Sequence, residues 1–156
     1  MLDPDLSMIE LLGLAVAQEV ASYKRYQLFA LRVSNPLVKA KFSSLAKEEY
    51  AHRDMLYKML QKLTHETKPP LPRKPPRANE DMDTDKPLEE ILKLAIKKEH
   101  EAMLFYRSAA EKSTDPTGRL ILNHLATLEE GHERSLQAEL DTLTQYPEWF
   151  ALISDR

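Results

Sequence analysis

Apolar residues recur along the chain at the three- and four-residue spacing that is typical of amphipathic helices. The first such stretch begins after Ser7 and meets no helix breaker before Pro36. Its apolar positions are Ile9, Leu12, Val16, Val20, Tyr23 and Leu31. Ser7 and Glu10 have the spacing of a capping box, in which each side chain hydrogen-bonds the backbone N–H of the other residue. The pattern therefore predicts a first helix that starts after Ser7.

A second helix is predicted directly after a short break. Asn35 is a favourable N-cap, and Pro36 suits the first turn of a helix because its fixed φ is already helical. The helical spacing then continues to about Thr64. The predicted core positions are Leu37, Phe42, Leu45, Leu56, Met59 and Leu63.

Two further helices are predicted in the second half of the chain. Asp85 and Pro87 open the third helix, which ends near Thr114. Its apolar side is formed by Leu88, Ile91, Leu94, Ala95, Met103 and Phe105. Asp115, followed by a proline, repeats the helix-start signal of Asn35. The fourth helix runs from there to about residue 144.

Five prolines interrupt the pattern between Pro69 and Pro76. Proline removes a backbone donor and blocks a helix interior, so this segment is predicted to be an extended, polyproline-like crossover. A short tail after Pro147 carries Trp149 and Phe150. The predicted organisation is one domain over residues 1–156, with a hairpin at about 7–65, a crossover at 66–86, a second hairpin at about 87–144 and a tail at 147–156.

The two predicted hairpins are copies of each other at a constant offset of 80 residues. Apolar pairs such as Leu45 and Leu125 match, as does the helix-starting pair Pro36 and Pro116. The polar matches are more informative, because packing alone does not require them. They are Glu19 with Glu99, Tyr26 with Tyr106, Glu49 with Glu129, and His52 with His132. Two such hairpins related by a pseudo-two-fold axis predict an all-α four-helix bundle.

The repeated polar residues indicate a metal site in the core of this bundle. Glu49 and His52 are three residues apart and therefore share one helix face, and so do Glu129 and His132. A Glu-x-x-His from each of two helices, together with a Glu from each of the other two, is the ligand set of a di-metal carboxylate bundle. Four unpaired carboxylates would be very unfavourable in a low-dielectric interior, whereas two divalent cations would balance their charge.

Composition narrows the chemistry of this site. The sequence contains no cysteine, which excludes disulfides, thiolate zinc sites and cysteine-bound iron, so a metal must use carboxylates and imidazoles. The net charge of -3 does not favour nucleic acid as a partner. There is neither an apolar run long enough for a membrane span nor a signal peptide pattern. A cytoplasmic protein without a membrane partner is expected.

With these motifs, the sequence resembles the rubrerythrin-type branch of the ferritin-like superfamily over nearly its whole length. The resemblance implies a ferritin-like bundle that binds two iron ions, with manganese or zinc as substitutes. It implies that Glu49 and Glu129 bridge the two metals, and that Glu19 and Glu99 are terminal ligands. It further implies one imidazole on each metal, from His52 and His132, and Tyr26 and Tyr106 as tyrosines that orient the carboxylates.

Two departures from the family pattern bear on function. A full rubrerythrin carries a rubredoxin domain with cysteine-bound iron, and this sequence has no cysteine. Peroxidase-type members have a second glutamate three residues after the terminal ligand of the third helix, where this sequence has Ala102. The leading hypothesis is a di-iron oxidoreductase that reduces hydrogen peroxide or dioxygen with electrons from an external donor protein. A ferroxidase or iron-handling protein and a non-catalytic interaction bundle are the alternatives, and a homodimer is expected.

The stretch around His52 contains two candidate acids, because Glu48 and Glu49 both lie within one helical turn of it. The repeat selects Glu49, since its partner is Glu129 whereas the partner of Glu48 is Leu128. Glu48 is accordingly interpreted as a solvated charge or as a charge behind the ligands. Replacing it with alanine is predicted to leave metal binding largely intact.

Overall fold

The computed structural model of the chain describes residues 7–69, 71 and 86–148, and these residues form four long helices. The helices are α1 (Met8–Arg32), α2 (Pro36–Thr64), α3 (Leu88–Lys112) and α4 (Pro116–Gln145). All four predicted helices are therefore present, and their ends lie within a few residues of the predicted ones.

The helix starts follow the local signals in the sequence. Ser7 forms the predicted capping box with Glu10 at the start of α1. Asn35 and Asp115 cap α2 and α4 by accepting hydrogen bonds from backbone N–H groups of the first turn. These side chains satisfy donors that a helix start otherwise leaves unpaired. Asp85, which was predicted to open α3, lies outside the described residues.

The helices pack as two hairpins, with α1 along α2 and α3 along α4, and the hairpins form a four-helix bundle. The predicted fold class is therefore confirmed. The core consists of two apolar clusters, one around Tyr26, Phe29 and Phe42 and the other around Tyr106 and Leu122. Each cluster draws residues from all four helices, at opposite ends of the bundle. A polar layer occupies the bundle between them.

Two predicted core positions of α2 are wrong, since Leu37 and Leu63 are exposed, and Ile9 and Leu31 of the apolar pattern in α1 are exposed as well. Leu31 is 76% exposed, whereas Phe29 is fully buried. The two residues are about 200° apart around the helix, so only one can face the core. Leu37 is likewise 64% exposed, and its neighbour Val38 is buried instead. Apolar spacing alone left the rotation of these helix ends open.

The predicted crossover lies mostly outside the described residues, and so do Trp149 and Phe150 of the tail. Among the helices that the structure describes, none has a stretch both long and apolar enough to cross a membrane.

Candidate metal centre

Six ionisable side chains meet in the polar layer between the two apolar clusters. Helices α1 and α3 each contribute one glutamate from their middle, and α2 and α4 each contribute a glutamate and the histidine three residues later. All are buried, with exposed fractions of 2% for Glu19, 1% for Glu49, 4% for His52, 2% for Glu99, 1% for Glu129 and 7% for His132. The structure therefore brings together every residue that was predicted as a metal ligand.

One half of the cluster surrounds His52. Its Nδ1 atom lies 3.7 Å from Oε2 of Glu19, 3.6 Å from Oε2 of Glu49 and 3.0 Å from Oε1 of Glu129. These four residues each place a ligand atom within 4.8 Å of the others. They come from three helices, so this group exists only in the folded bundle.

The other half of the cluster surrounds His132 in the same way. Its Nδ1 atom lies 2.8 Å from Oε1 of Glu49, 3.1 Å from Oε2 of Glu129 and 3.7 Å from Oε2 of Glu99. The rings of His52 and His132 are nearly parallel, with centroids 5.7 Å apart. Glu49 and Glu129 belong to both halves, so the cluster consists of two overlapping groups that share two carboxylates.

The residues fit a pair of cations in both geometry and donor chemistry. Metal–carboxylate bonds of about 2.0–2.2 Å place two ligand atoms at most about 4.4 Å apart. The ligand atoms of each group lie within 4.8 Å of one another, so a small side-chain adjustment would suffice to reach that distance. Oε2 of Glu19 and Oε1 of Glu49 are buried and receive no well-aligned hydrogen bond from the described residues. Such oxygens have lone pairs that a cation would satisfy.

The two shared carboxylates, Glu49 and Glu129, are in the environment that least favours their ionised form. Burial raises the pKa of Glu49 and of Glu129 well above the usual glutamate range, and the nearby carboxylates of Glu19 and Glu99 raise it further. Both effects disfavour the ionised form, because the charge loses water and meets like charges. Positive charge must therefore enter the cluster before all four carboxylates can ionise.

The imidazoles supply part of that positive charge. Burial by itself would lower the pKa of His52, but its hydrogen bond with Glu129 and the nearby carboxylates of Glu19 and Glu49 outweigh burial and raise the pKa to about 12. The pKa of His132 is raised in the same manner. Burial would raise the pKa of Glu99, whereas its contacts with Glu129 and His132 lower it to about 2. Protons on the imidazoles thus occupy the place that cations would take.

The two predicted tyrosines contact the cluster across the hairpins. The hydroxyl of Tyr26 donates to Oε1 of Glu99, and the hydroxyl of Tyr106 donates to Oε1 of Glu19. Each tyrosine therefore holds the buried glutamate that the first helix of the other hairpin contributes. Burial raises the pKa of both tyrosines well above its usual value, and the nearby carboxylates add to this, so the hydroxyls stay protonated as donors.

Glu48 lies behind the proposed ligands, which is one of the two interpretations that the sequence left open. Its Oε2 atom lies 2.6 Å from Nε2 of His132, on the side of the ring opposite the carboxylate cluster. The repeat gave it low weight because the equivalent residue is Leu128. A useful signal was present, since Glu48 lies one residue before a shared carboxylate on the same helix. The contact itself joins α2 to α4 and cannot be found from spacing within one helix.

The fold and the buried cluster together define a ferritin-like four-helix bundle with a candidate carboxylate–histidine metal site. The sequence profile of the Rubrerythrin family matches residues 10–140. The chain therefore belongs to the rubrerythrin family, as its resemblance implied. No curated protein sequence matches it significantly.

Two solved structures share this fold. A hypothetical protein from Pyrococcus furiosus is 26% identical, with a TM-score of 0.80 over 91% of this chain and 93% of that one. A bacterioferritin from Rhodobacter capsulatus, determined with a metal-free dinuclear site and heme iron, is 24% identical. It has a TM-score of 0.80 over 98% of this chain and 96% of its own. The bacterioferritin likeness supports the bundle architecture alone.

Proposed function

We propose that the protein binds two iron ions in the buried cluster and is an oxidoreductase that reduces hydrogen peroxide or dioxygen. The observation that carries this proposal is the pair of overlapping ligand groups that share Glu49 and Glu129. A shared carboxylate can bridge two metals, which keeps them close enough to act on one small oxidant. Oxygen ligands with one imidazole per metal suit iron or manganese better than copper, and zinc is a substitute.

The residues of the buried cluster and the two tyrosines have distinct roles in this proposal. Glu49 and Glu129 would be shared by the two metal positions, Glu19 and His52 would complete one of them, and Glu99 and His132 would complete the other. The list of proposed ligands is thus Glu19, Glu49, His52, Glu99, Glu129 and His132. Tyr26 and Tyr106 fix the terminal carboxylates through their hydrogen bonds. The apolar clusters on both sides restrict the access of water.

If two ferrous ions were bound there, they would supply the two electrons that, with two protons, reduce one hydrogen peroxide to two molecules of water. Because each peroxide consumes two electrons, two would have to be returned to the metal pair, and these 156 residues contain no cysteine that could hold a thiolate-bound iron centre as their source. We expect an external electron-donor protein to deliver them. We also expect the protein to be a homodimer, which gel filtration can measure.

The redox proposal is tested with protein loaded anaerobically with ferrous iron and titrated with hydrogen peroxide. The expected result is consumption of about one peroxide per iron pair and appearance of a ferric charge-transfer band. Dioxygen is compared in a parallel experiment. Protein that binds iron but leaves it ferrous with both oxidants contradicts the redox role. Accumulation of iron far beyond the pair, in an assembly larger than a dimer, favours iron handling instead.

Metal affinity is expected to fall as the pH is lowered. The raised pKa values of Glu49, Glu129 and the two imidazoles mean that protons occupy the cluster and must leave when a cation binds. Each displaced proton weakens binding about tenfold per unit of pH decrease. Calorimetric titration with manganese in two buffers of different ionisation enthalpy measures the number of protons released. If metal binding releases no protons, the assignment of these residues as ligands is wrong.

A further inference from the structure

We propose that Glu48 is a positioning residue that holds His132 for metal binding and thereby makes the two metal positions unequal. This inference rests on the proposed di-metal function. It concerns a difference between the two halves of the site. The six proposed ligands are repeated in both hairpins, whereas Glu48 is not.

The geometry divides the two nitrogens of His132 between two tasks. Nδ1 faces the shared carboxylates, at 2.8 Å from Glu49 and 3.1 Å from Glu129. Nε2 faces the other way, at 2.6 Å from Oε2 of Glu48. The side chain of His132 is only 9% exposed, so the imidazole is held between these two contacts.

A neutral imidazole that binds a metal through one nitrogen carries its proton on the other nitrogen. For His132 to bind through Nδ1, Nε2 must be the protonated nitrogen, and Oε2 of Glu48 is positioned to accept its hydrogen bond. A carboxylate in this place selects the correct tautomer, fixes the orientation of the ring and raises the basicity of the ligating nitrogen. Glu48 touches no metal position itself and acts through His132.

The repeat does not provide the other half of the site with an equivalent of Glu48. At the offset of 80 residues, His132 corresponds to His52 and Glu48 corresponds to Leu128. A leucine side chain cannot accept a hydrogen bond, so the repeat supplies no matching support for the imidazole of His52. The six proposed ligands are the same in both hairpins, whereas Glu48 and Leu128 differ. The metal position at His132 is therefore the tighter of the two.

The size of the difference follows from the exposure of Glu48. Removing an outer hydrogen-bond partner of a ligating histidine typically costs 10- to 100-fold in metal affinity. The side chain of Glu48 is 53% exposed, so solvent weakens its interaction. We therefore expect the lower end of that range, about tenfold.

The test is a calorimetric titration of the metal-depleted protein with zinc, which is redox-inactive and diamagnetic. The wild-type protein should bind two ions in steps of unequal affinity. Glu48→Leu, which copies the residue of the other hairpin, should still bind two ions but should weaken the tighter step about tenfold and bring the two steps together. Glu48→Gln retains an acceptor oxygen and should fall between these two proteins.

A spectroscopic readout separates positioning from a general loss of structure. In the zinc-loaded protein with ¹⁵N-labelled histidine, the Nε2 proton of His132 should give a resonance protected from exchange, assigned by its absence in His132→Ala. Glu48→Gln should keep this resonance and Glu48→Leu should lose it. In the His132→Ala background, Glu48→Leu should have no further effect on the remaining zinc site.

The outcomes distinguish this inference from the proposed function. Two bound zinc ions with unchanged affinities and an unchanged Nε2 proton in Glu48→Leu overturn the positioning role and leave the di-metal site standing. A wild-type protein that binds no stoichiometric zinc overturns both. Merged steps together with loss of the resonance support the inference.

Discussion

Replacing Glu49 or Glu129 with alanine is expected to abolish binding of the metal pair. Each of these carboxylates belongs to both ligand groups, so its removal takes one donor from each proposed metal position and removes one proposed bridge. The iron content of protein produced in iron-rich medium should fall from about two ions per chain to less than one. Elemental analysis of the purified protein measures this directly.

Glu130 provides a matched control for this experiment, because it is the neighbour of Glu129 on the same helix. Its carboxylate lies on the surface, 3.0 Å from a guanidinium nitrogen of Arg107, and belongs to neither ligand group. Glu130→Ala should therefore retain the full metal content. If Glu49→Ala and Glu129→Ala also retain two ions, the assignment of bridging ligands is wrong. A wild-type protein without stoichiometric metal would favour a non-catalytic interaction bundle.

Metal binding is expected to produce the second large effect, a rise in thermal stability. A ligand that binds only the native state stabilises it by about 2.7 kcal/mol at a free concentration of 100 times Kd. Two such sites contribute about 5 kcal/mol, and a chain of this size gains ~2–4 °C in Tm per kcal/mol. Calorimetric melting of the wild-type protein should therefore show an increase of roughly 10–20 °C on saturation with manganese, reversed by a chelator.

Glu129→Gln should preserve or raise the Tm of the metal-depleted protein and should remove most of the stabilisation by manganese. Burial and the surrounding carboxylates raise the pKa of Glu129, which means that its ionised form is unfavourable in the metal-depleted bundle. The neutral amide removes this penalty, so the Tm of the metal-depleted variant should equal or exceed that of the wild-type protein. Manganese should then produce little further stabilisation. An equal metal-induced shift in both proteins would show that the stabilising ions bind elsewhere.

Much of this molecule follows from signals that are local or periodic in the sequence. Ser7, Asn35 and Asp115 each mark a helix start, because a side-chain oxygen there satisfies a backbone donor that the helix cannot. The 80-residue repeat gave the two-hairpin fold. It also distinguished Glu49 from Glu48 as the buried acid, and Glu49 is 1% exposed.

The exposure of residues at the helix ends and the hydrogen-bond partners of the tyrosines could not be predicted before the packing of the helices was known. The exposure of Leu31 and Leu37 shows that a periodic pattern defines the apolar stripe of a helix but not the limits of that stripe at its ends. The tyrosines illustrate a second limit. Tyr26 is two turns from Glu19 on its own helix, yet its hydrogen bond goes to Glu99 of the other hairpin. That choice depends on the rotation of α1 and α3 about their axes.

By itself, the sequence determined the helices, the repeat and the identities of the six residues that meet in the core. Helical spacing decides which residues share a face, so a Glu-x-x-His is readable from one helix alone. Only the tertiary structure decided which faces meet, and it paired Glu48 with His132 although the repeat offered no reason to do so. Contacts between helices depend on their rotation and axial shift, which are set by the simultaneous packing of both apolar clusters.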